Sequence, residues 1–478
     1  MDPQGKANVP PKRGCPTAVA PTQIDEEKNW RQLTQLVEYN LNIVCGRTSA
    51  DCPVPRSSEL NLCRSWLPVT DALRCGLGLV LGACVLASAP AYAQDPEQAP
   101  GPTLVRGDFT LESSLGVEAL ENSNIFESST DVRSSLIWRL RPNVLMRFEP
   151  ARSRLDFGYT GDFGWYDKSP ADDYTDHALD AGAYLLLGER SGLDLVASYK
   201  YAHENRGAGL TLGIDPASAA FPQEPNRFTD GQFLTRYTYG VSGTRAFVAL
   251  EASTLKHTYQ NNLTSTEPFN RKVSYGQTTF GVRVQPKTSV ELSVRASDIT
   301  YDNSQAFGAS QNSREYVYLL GVVWEATGQT TGTVRIGEVA RKFADSVRPN
   351  FSGPSWEVAI RWSPRTYSHF DLATKRYTEE PVDLRGGVTV TAIYSLGWTH
   401  EWSGRLESKV AVSEVDSTYR FVTGDRRDKS PQYSLGLMYR MRRWLRWEAG
   451  VDIKSRDSQV VSYNYHENIA KIGARVSF

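Results

Sequence analysis

Polar and apolar residues alternate with a period of two over long stretches of this chain. In SRLDFGYTGDFGWYDK (residues 153–168), Leu155, Phe157, Tyr159, Gly161, Phe163 and Trp165 fall on one parity, and Asp156, Gly158, Thr160, Asp162 and Gly164 on the other. This period predicts a strand with one apolar and one polar face. Strands in soluble domains usually stop after about five or six residues, whereas this alternation runs unbroken from 155 to 165.

The pattern recurs down the chain. SWEVAIRWS puts Trp356, Val358, Ile360 and Trp362 against Ser355, Glu357, Ala359, Arg361 and Ser363. LRWEAGVDIK puts Leu445, Trp447, Ala449, Val451 and Ile453 against Arg446, Glu448, Gly450, Asp452 and Lys454. SVELSVRAS sets Val290, Leu292, Val294 and Ala296 against Glu291, Ser293, Arg295 and Ser297. From Asp108 onward no helical period competes, so the region is predicted to be all β.

Its connections alternate in length. Short ones are PARS (150–153), ERSG (189–192), SGT (242–244), QPKT (285–288), ATGQ (326–329), SPRT (363–366), WSGR (402–405) and RRWL (442–445). Longer polar segments lie between them, the longest being residues 206–231. One hairpin per interval predicts 18 strands, with 16 as the nearest alternative. A β-propeller also repeats at about 40 residues, but its blades divide that length among four short strands, and its signatures are absent here.

Long strand pairs with short turns at one end and long loops at the other predict a closed, antiparallel, up-and-down transmembrane β-barrel over 108–478. In hydrocarbon every backbone N–H and C=O must be paired within the protein, so a sheet survives there only by closing on itself. Its outer face is then apolar and its inner face free to be polar. Aromatics at or near strand ends fit interfacial girdles: Trp165, Tyr166, Tyr199, Tyr201, Tyr237, Tyr239, Trp324, Trp356, Trp362, Trp398, Trp402, Tyr439, Trp444 and Trp447. KIGARVSF continues the alternation to Phe478, an aromatic end resembling the signal that outer-membrane insertion machinery reads. An even strand count places both barrel termini and the short turns in the periplasm.

Composition sharpens the location more than the chemistry. With 53 basic and 54 acidic residues the net charge is −1, so no basic field invites nucleic acid. All six cysteines (Cys15, Cys45, Cys52, Cys63, Cys75, Cys84) precede residue 94, as expected if the rest enters an oxidising compartment. Arg74, a Gly- and Ala-rich apolar run and Ala91-Tyr92-Ala93 before Gln94 read as a cleaved secretory signal at 69–93. The run is short for a membrane anchor. A lipoprotein signal ending at Cys84 fits less well, because Arg74 is too close and an apolar tail follows. Residues 1–68 are expected to be a disordered extension upstream of the true start, and 94–107 a periplasmic linker.

SRLDFGYTGDFGWYDK, REYVYLLGVVWEATGQTTGTVRIGEVARKF and SWEVAIRWSPRTYSHFDLATKR resemble the outer-membrane β-barrel porins found beside exopolysaccharide biosynthesis genes. The resemblance covers about 108–478 and rests on spaced aromatics, glycines and hairpin rhythm. It implies a Gram-negative outer-membrane barrel serving export or assembly of a secreted polysaccharide, with that polymer and periplasmic export proteins as partners; the barrel and its aromatic end add membrane lipid and the barrel-assembly machinery. The family offers no site motif, so no functional residue is carried over.

Catalytic chemistry finds little support in the residues, and no cofactor is expected. His177, His203, His257, His369, His400 and His466 lack metal spacing, and no cysteine follows residue 93. Ser368 and His369 are strand neighbours and point to opposite faces, which bars them from pairing as nucleophile and base. The candidates are instead charges of the polar faces: Glu291, Arg295, Arg335, Glu357, Arg361, Arg405, Glu407, Lys409, Arg446, Glu448, Asp452, Lys454, Lys471 and Arg475. They read either as cross-strand pairs that stiffen the wall or as a hydrated, mixed-sign channel lining. The expected function is a non-catalytic exopolysaccharide conduit; the alternatives are a general diffusion porin, a barrel hydrolase or a structural surface protein. The 206–231 segment either folds inward as a constriction or covers the mouth.

Overall fold

An alternating strand satisfies its backbone only beside two partners, and a run of such strands joined by tight turns has one closed solution. The computed structural model describes residues 103–241, 244–327 and 329–478. The expectations for 1–68, for the leader at 69–93 and for most of the linker lie outside the described residues. The strands run in chain order as β1 Leu104–Arg106, β2 Phe109–Asn122, β3 Ser135–Phe148, β4 Ser153–Tyr166, β5 Tyr174–Leu186 and β6 Ser191–Glu204. Next come β7 Asn226–Tyr239, β8 Ala246–Tyr259, β9 Arg271–Gln285, β10 Thr288–Tyr301, β11 Ser313–Thr327 and β12 Thr330–Phe343. The last are β13 Phe351–Arg365, β14 Ser368–Glu379, β15 Val388–Glu401, β16 Leu406–Phe421, β17 Gly424–Arg442, β18 Leu445–Ser458 and β19 Tyr465–Ser477.

Each strand pairs antiparallel with its neighbours in sequence, and β19 closes on β2 from Ile469↔Asn122 to Ser477↔Ser114. β2 to β19 therefore form the expected closed barrel of 18 strands. β1 is additional and short. It pairs with β2 through Leu104↔Leu111 and Arg106↔Phe109, while β3 occupies the other edge of those β2 residues. Phe478 donates its N–H to Ser113 O at 2.9 Å, so β1 takes up the β2 edge just beyond the end of β19. Residues 104–106, expected as linker, are thus strand, turned back at Gly107, whose φ of +61° suits glycine.

The outer face is apolar. Leu320, at the middle of β11, lies between Leu292 and Ile336 on the flanking strands, and all three are exposed. Exposed aromatics gather at the turn end, where Tyr239, Trp362, Trp402, Tyr439, Trp444, Trp447 and Phe478 lie. Trp362, Phe370 and Trp398 stack there across three strands at 5.4 and 6.3 Å. Trp138, Trp165, Tyr199 and Tyr318 lie toward the loop end. Tyr166 corrects the sequence expectation: it is on the inner parity of β4 and packs with Leu120, Ile137 and Ile469 inside the barrel.

Two connections also depart from expectation. NRFTDG (226–231) belongs to β7, with Asn226 opposite Glu204 and Asp230 opposite Lys200, so the longest loop is 205–225. The connection between β16 and β17 is only Val422 and Thr423, because the two strands pair out to Phe421↔Gly424.

Candidate functional site

The inner parity of the strands builds a wall of charge in which most groups answer a neighbour. Arg335 lies 2.8 Å from Glu291 and 3.5 Å from Glu357, and Lys375 adds a second cation to Glu357 at 3.2 Å. Arg361 pairs with Asp371 at 2.7 Å, Lys454 with Glu467 at 3.1 Å and Lys471 with Asp452 at 2.5 Å. Glu407 takes Lys409 at 3.3 Å and Arg440 at 2.9 Å, while Glu448 takes Arg446 at 2.8 Å and Arg475 at 3.9 Å. Arg295 lies over the Tyr275 ring at 5.7 Å. Buried pairs of this kind add little net stability, but removing one partner costs about 3–5 kcal/mol.

Arg405 requires a correction. It is exposed in the turn between β15 and β16, one residue before β16, whose parity it continues. The wall also contains charges not singled out in the sequence. Arg139 is paired with Asp162, Arg147 and Arg154 share Asp156, each at 3.0 Å, and Arg236 is paired with Glu251. Their inner parity is the signal in the sequence: SLIWRLRPNVLMRF, for example, places Arg139, Arg141 and Arg147 on one parity.

Loop 205–225 folds into the barrel. Its Arg206 grips Asp172, with Nε at 2.7 Å from Oδ1 and Nη2 at 2.6 Å from Oδ2. The same guanidinium lies over Phe126 at 4.9 Å and Phe221 at 5.6 Å. Gly207, at φ +91°, packs so tightly that an added Cβ would lie 1.7 Å from the Phe126 carbonyl oxygen. Beyond it, Ala208, Gly209 and Leu212 face Val415, Pro431, Lys454, Arg456 and Tyr465 of β16 to β19 across a cavity of only about 30 Å³. The loop leaves the wall at β6 and reaches another sector of it.

A second inward element is the β14–β15 hairpin tip. β14 pairs with β13 only from Trp356↔Arg376 toward the turn end, leaving Phe351 to Ser355 without a β14 partner. Residues 377–381 and 386–393 are buried on both parities, as expected of a hairpin bent inside. Val388 and Val390 pack on Val317, Leu319, Val339 and Phe351, on the inner face of the neighbouring strands β11 to β13. Arg341 holds Glu380 at 2.7 Å, and the Gln311 side chain exchanges two hydrogen bonds with Gly387, at 2.6 and 2.9 Å.

Between these elements Phe228, Tyr259, Phe269, Ile299, Tyr301 and Phe307 form an apolar core inside β6 to β10. Burying each such side chain contributes about 1.5–3 kcal/mol. The loop end of the barrel is therefore packed, while charged rows line its turn end.

A profile for the family described as "Putative beta-barrel porin 2" matches residues 95–478. The chain belongs to this porin family. No curated protein matches the chain. Solved structures similar to the porin include the outer membrane protein OpdK from Pseudomonas aeruginosa (11% identity, TM-score 0.44, covering 77% of this chain and 99% of that one). OccK5 (OpdH) from the same organism gives 12%, 0.43, 77% and 98%. The FrpB iron transporter from Neisseria meningitidis, F3-3 variant, gives 10%, 0.41, 77% and 81%.

Family membership, a closed barrel and an apolar outer belt place the porin in the outer membrane. Among its described residues no group of three or more His, Cys, Asp or Glu is arranged to hold a metal. Ser368 Oγ accepts a hydrogen bond from Trp398 Nε1 at 3.0 Å, while His369 is buried on the opposite, inner parity of β14.

Proposed function

We propose that this porin is a passive outer-membrane conduit taking part in exopolysaccharide export, without catalysis. The observation that carries the reading is the inner wall of mixed-sign, locally paired charge. Such a wall offers a hydrated chain many weak contacts and no single deep site, which is what movement through a channel needs. Secreted polysaccharide and periplasmic export proteins are the partners this reading calls for. Phe478, exposed on the outer face, is the feature expected to engage the barrel-assembly machinery.

The test is deletion of the gene in its own host, with surface and periplasmic polysaccharide assayed separately. Loss of surface polymer with periplasmic accumulation, reversed by the wild-type gene, is the expected result. Unchanged polymer favours a second reading, a diffusion porin for small solutes. The packed loop end, where loop 205–225 lies against β16 to β19 across a small cavity, supports that second reading.

A further inference from the structure

Four arginines share one register row of the inner wall, which runs from the turn end of β17 and β18 to the middle of β3. Arg440 on β17 is directly opposite Arg446 on β18, and Arg446 is directly opposite Arg475 on β19. The row continues through Gly116 on β2 to Arg141 on β3. Like charges placed opposite one another on neighbouring strands repel. A row of four is therefore costly unless acceptors surround it.

The protein supplies acceptors only in part. Glu448 is divided between Arg446 and Arg475, and Glu118 between Arg141 at 3.1 Å and Arg139 at 3.5 Å. The Nε atoms of Arg141, Arg440 and Arg475 are buried without a hydrogen-bond acceptor. At Gly116 the wall carries no side chain, and a Cβ there would meet nothing nearer than 3.6 Å. The row thus has guanidinium donors in excess, with Gly116 leaving Arg475 and Arg141 no side chain between them.

We propose that this row is a binding strip for carboxylated sugars, and that the polymer handled is acidic. A guanidinium fork binds carboxylates in a bidentate manner. Adjacent strands lie about 4.8 Å apart, so the row repeats its forks on the scale of one sugar ring. Because each arginine keeps a share of a glutamate, a carboxylate binds by partial exchange and leaves again, as transit requires. The strip rests on the conduit reading for its substrate class and on strand register for its geometry.

The experiment is calorimetric titration of the purified full chain in detergent with oligogalacturonate and with a neutral dextran oligosaccharide of equal length. Oligogalacturonate is expected to bind, more weakly as salt rises, and dextran to show no heat of binding. Arg446→Gln/Arg475→Gln is expected to weaken binding at least tenfold, while Arg475→Lys retains part of it. If the double variant does not assemble, Arg440→Gln and Arg141→Gln, each confirmed as folded by circular dichroism, carry the same test. Equal binding of dextran, no binding of oligogalacturonate, or unchanged affinity in folded variants overturns the strip. Should gene deletion leave surface polymer unchanged while arginine-dependent binding persists, the conduit reading fails and the strip stands as a site for small acidic sugars.

Discussion

Arg206 and Asp172 form a two-point ion pair that ties the longest loop to the connection between β4 and β5, and both side chains are buried. Removing either partner strands a charge inside the barrel, at a cost of about 3–5 kcal/mol. Arg206→Ala is expected to release loop 205–225 and raise single-channel conductance in planar bilayers, with Asp172→Ala doing the same. The double variant should cost less than the sum of the two. Unchanged conductance in both single variants would mean that the loop does not restrict passage.

Glu127 makes the same region sensitive to pH. Burial, reinforced by nearby Glu467 and opposed by Lys454, Arg456 and a hydrogen bond with Tyr465, pushes its carboxyl from 4.5 up to about 7. An acid whose pKa is raised in the packed state holds its proton there longer than in the released state, so packing weakens as pH rises from about 4.5 to about 7. Hydrogen exchange across residues 124–128 should accelerate between pH 5 and pH 8 beyond the intrinsic rate increase. Glu127→Gln should remove the excess; a wild-type profile that follows the intrinsic rate alone would show that Glu127 does not control this packing.

The membrane belt is tested at Leu320, which is exposed between Leu292 and Ile336. Lysine near the bilayer midplane of a barrel costs about 2–4 kcal/mol. Leu320→Lys should lose stability in that range when unfolded by urea from lipid vesicles, and much less in detergent micelles, where a charged side chain reaches water more readily.

Strand parity, turn positions and barrel closure were legible because they follow from local alternation and from the need to pair every backbone group. Arg405 and Tyr166 were misplaced for local reasons: the first lies one residue outside its strand, and the second is an aromatic whose parity faces inward. The direction of loop 205–225 depends on partners far away in sequence, such as Asp172 and Phe126, and no local pattern encodes it. The inward β14–β15 tip was hidden too, since Val388 to Glu401 alternates like any other strand. One signal was available. Pro354 brings no N–H to a ladder, and it stands in the part of β13 that β14 has left.

That tip is held by a clamp that should respond to acid in the opposite sense to Glu127. Burial alone would raise the Glu380 pKa, but Arg341, Arg271 and the Tyr301 hydroxyl outweigh it and hold the carboxyl below its ordinary value. A lowered native pKa gives stability that is present above the ordinary glutamate range and lost as pH falls through the lowered value. The clamp should therefore stay closed across the interval in which Glu127 titrates and open only in stronger acid. Glu380→Gln leaves the buried Arg341 without its counter-charge, which should free the tip at neutral pH and let trypsin cleave after Arg385, an already exposed residue of the same connection. Glu380→Met/Arg341→Met removes both charges and should recover much of the protection. Equal trypsin resistance in wild type and Glu380→Gln would mean that the apolar packing of Val388 and Val390 holds the tip without the ion pair.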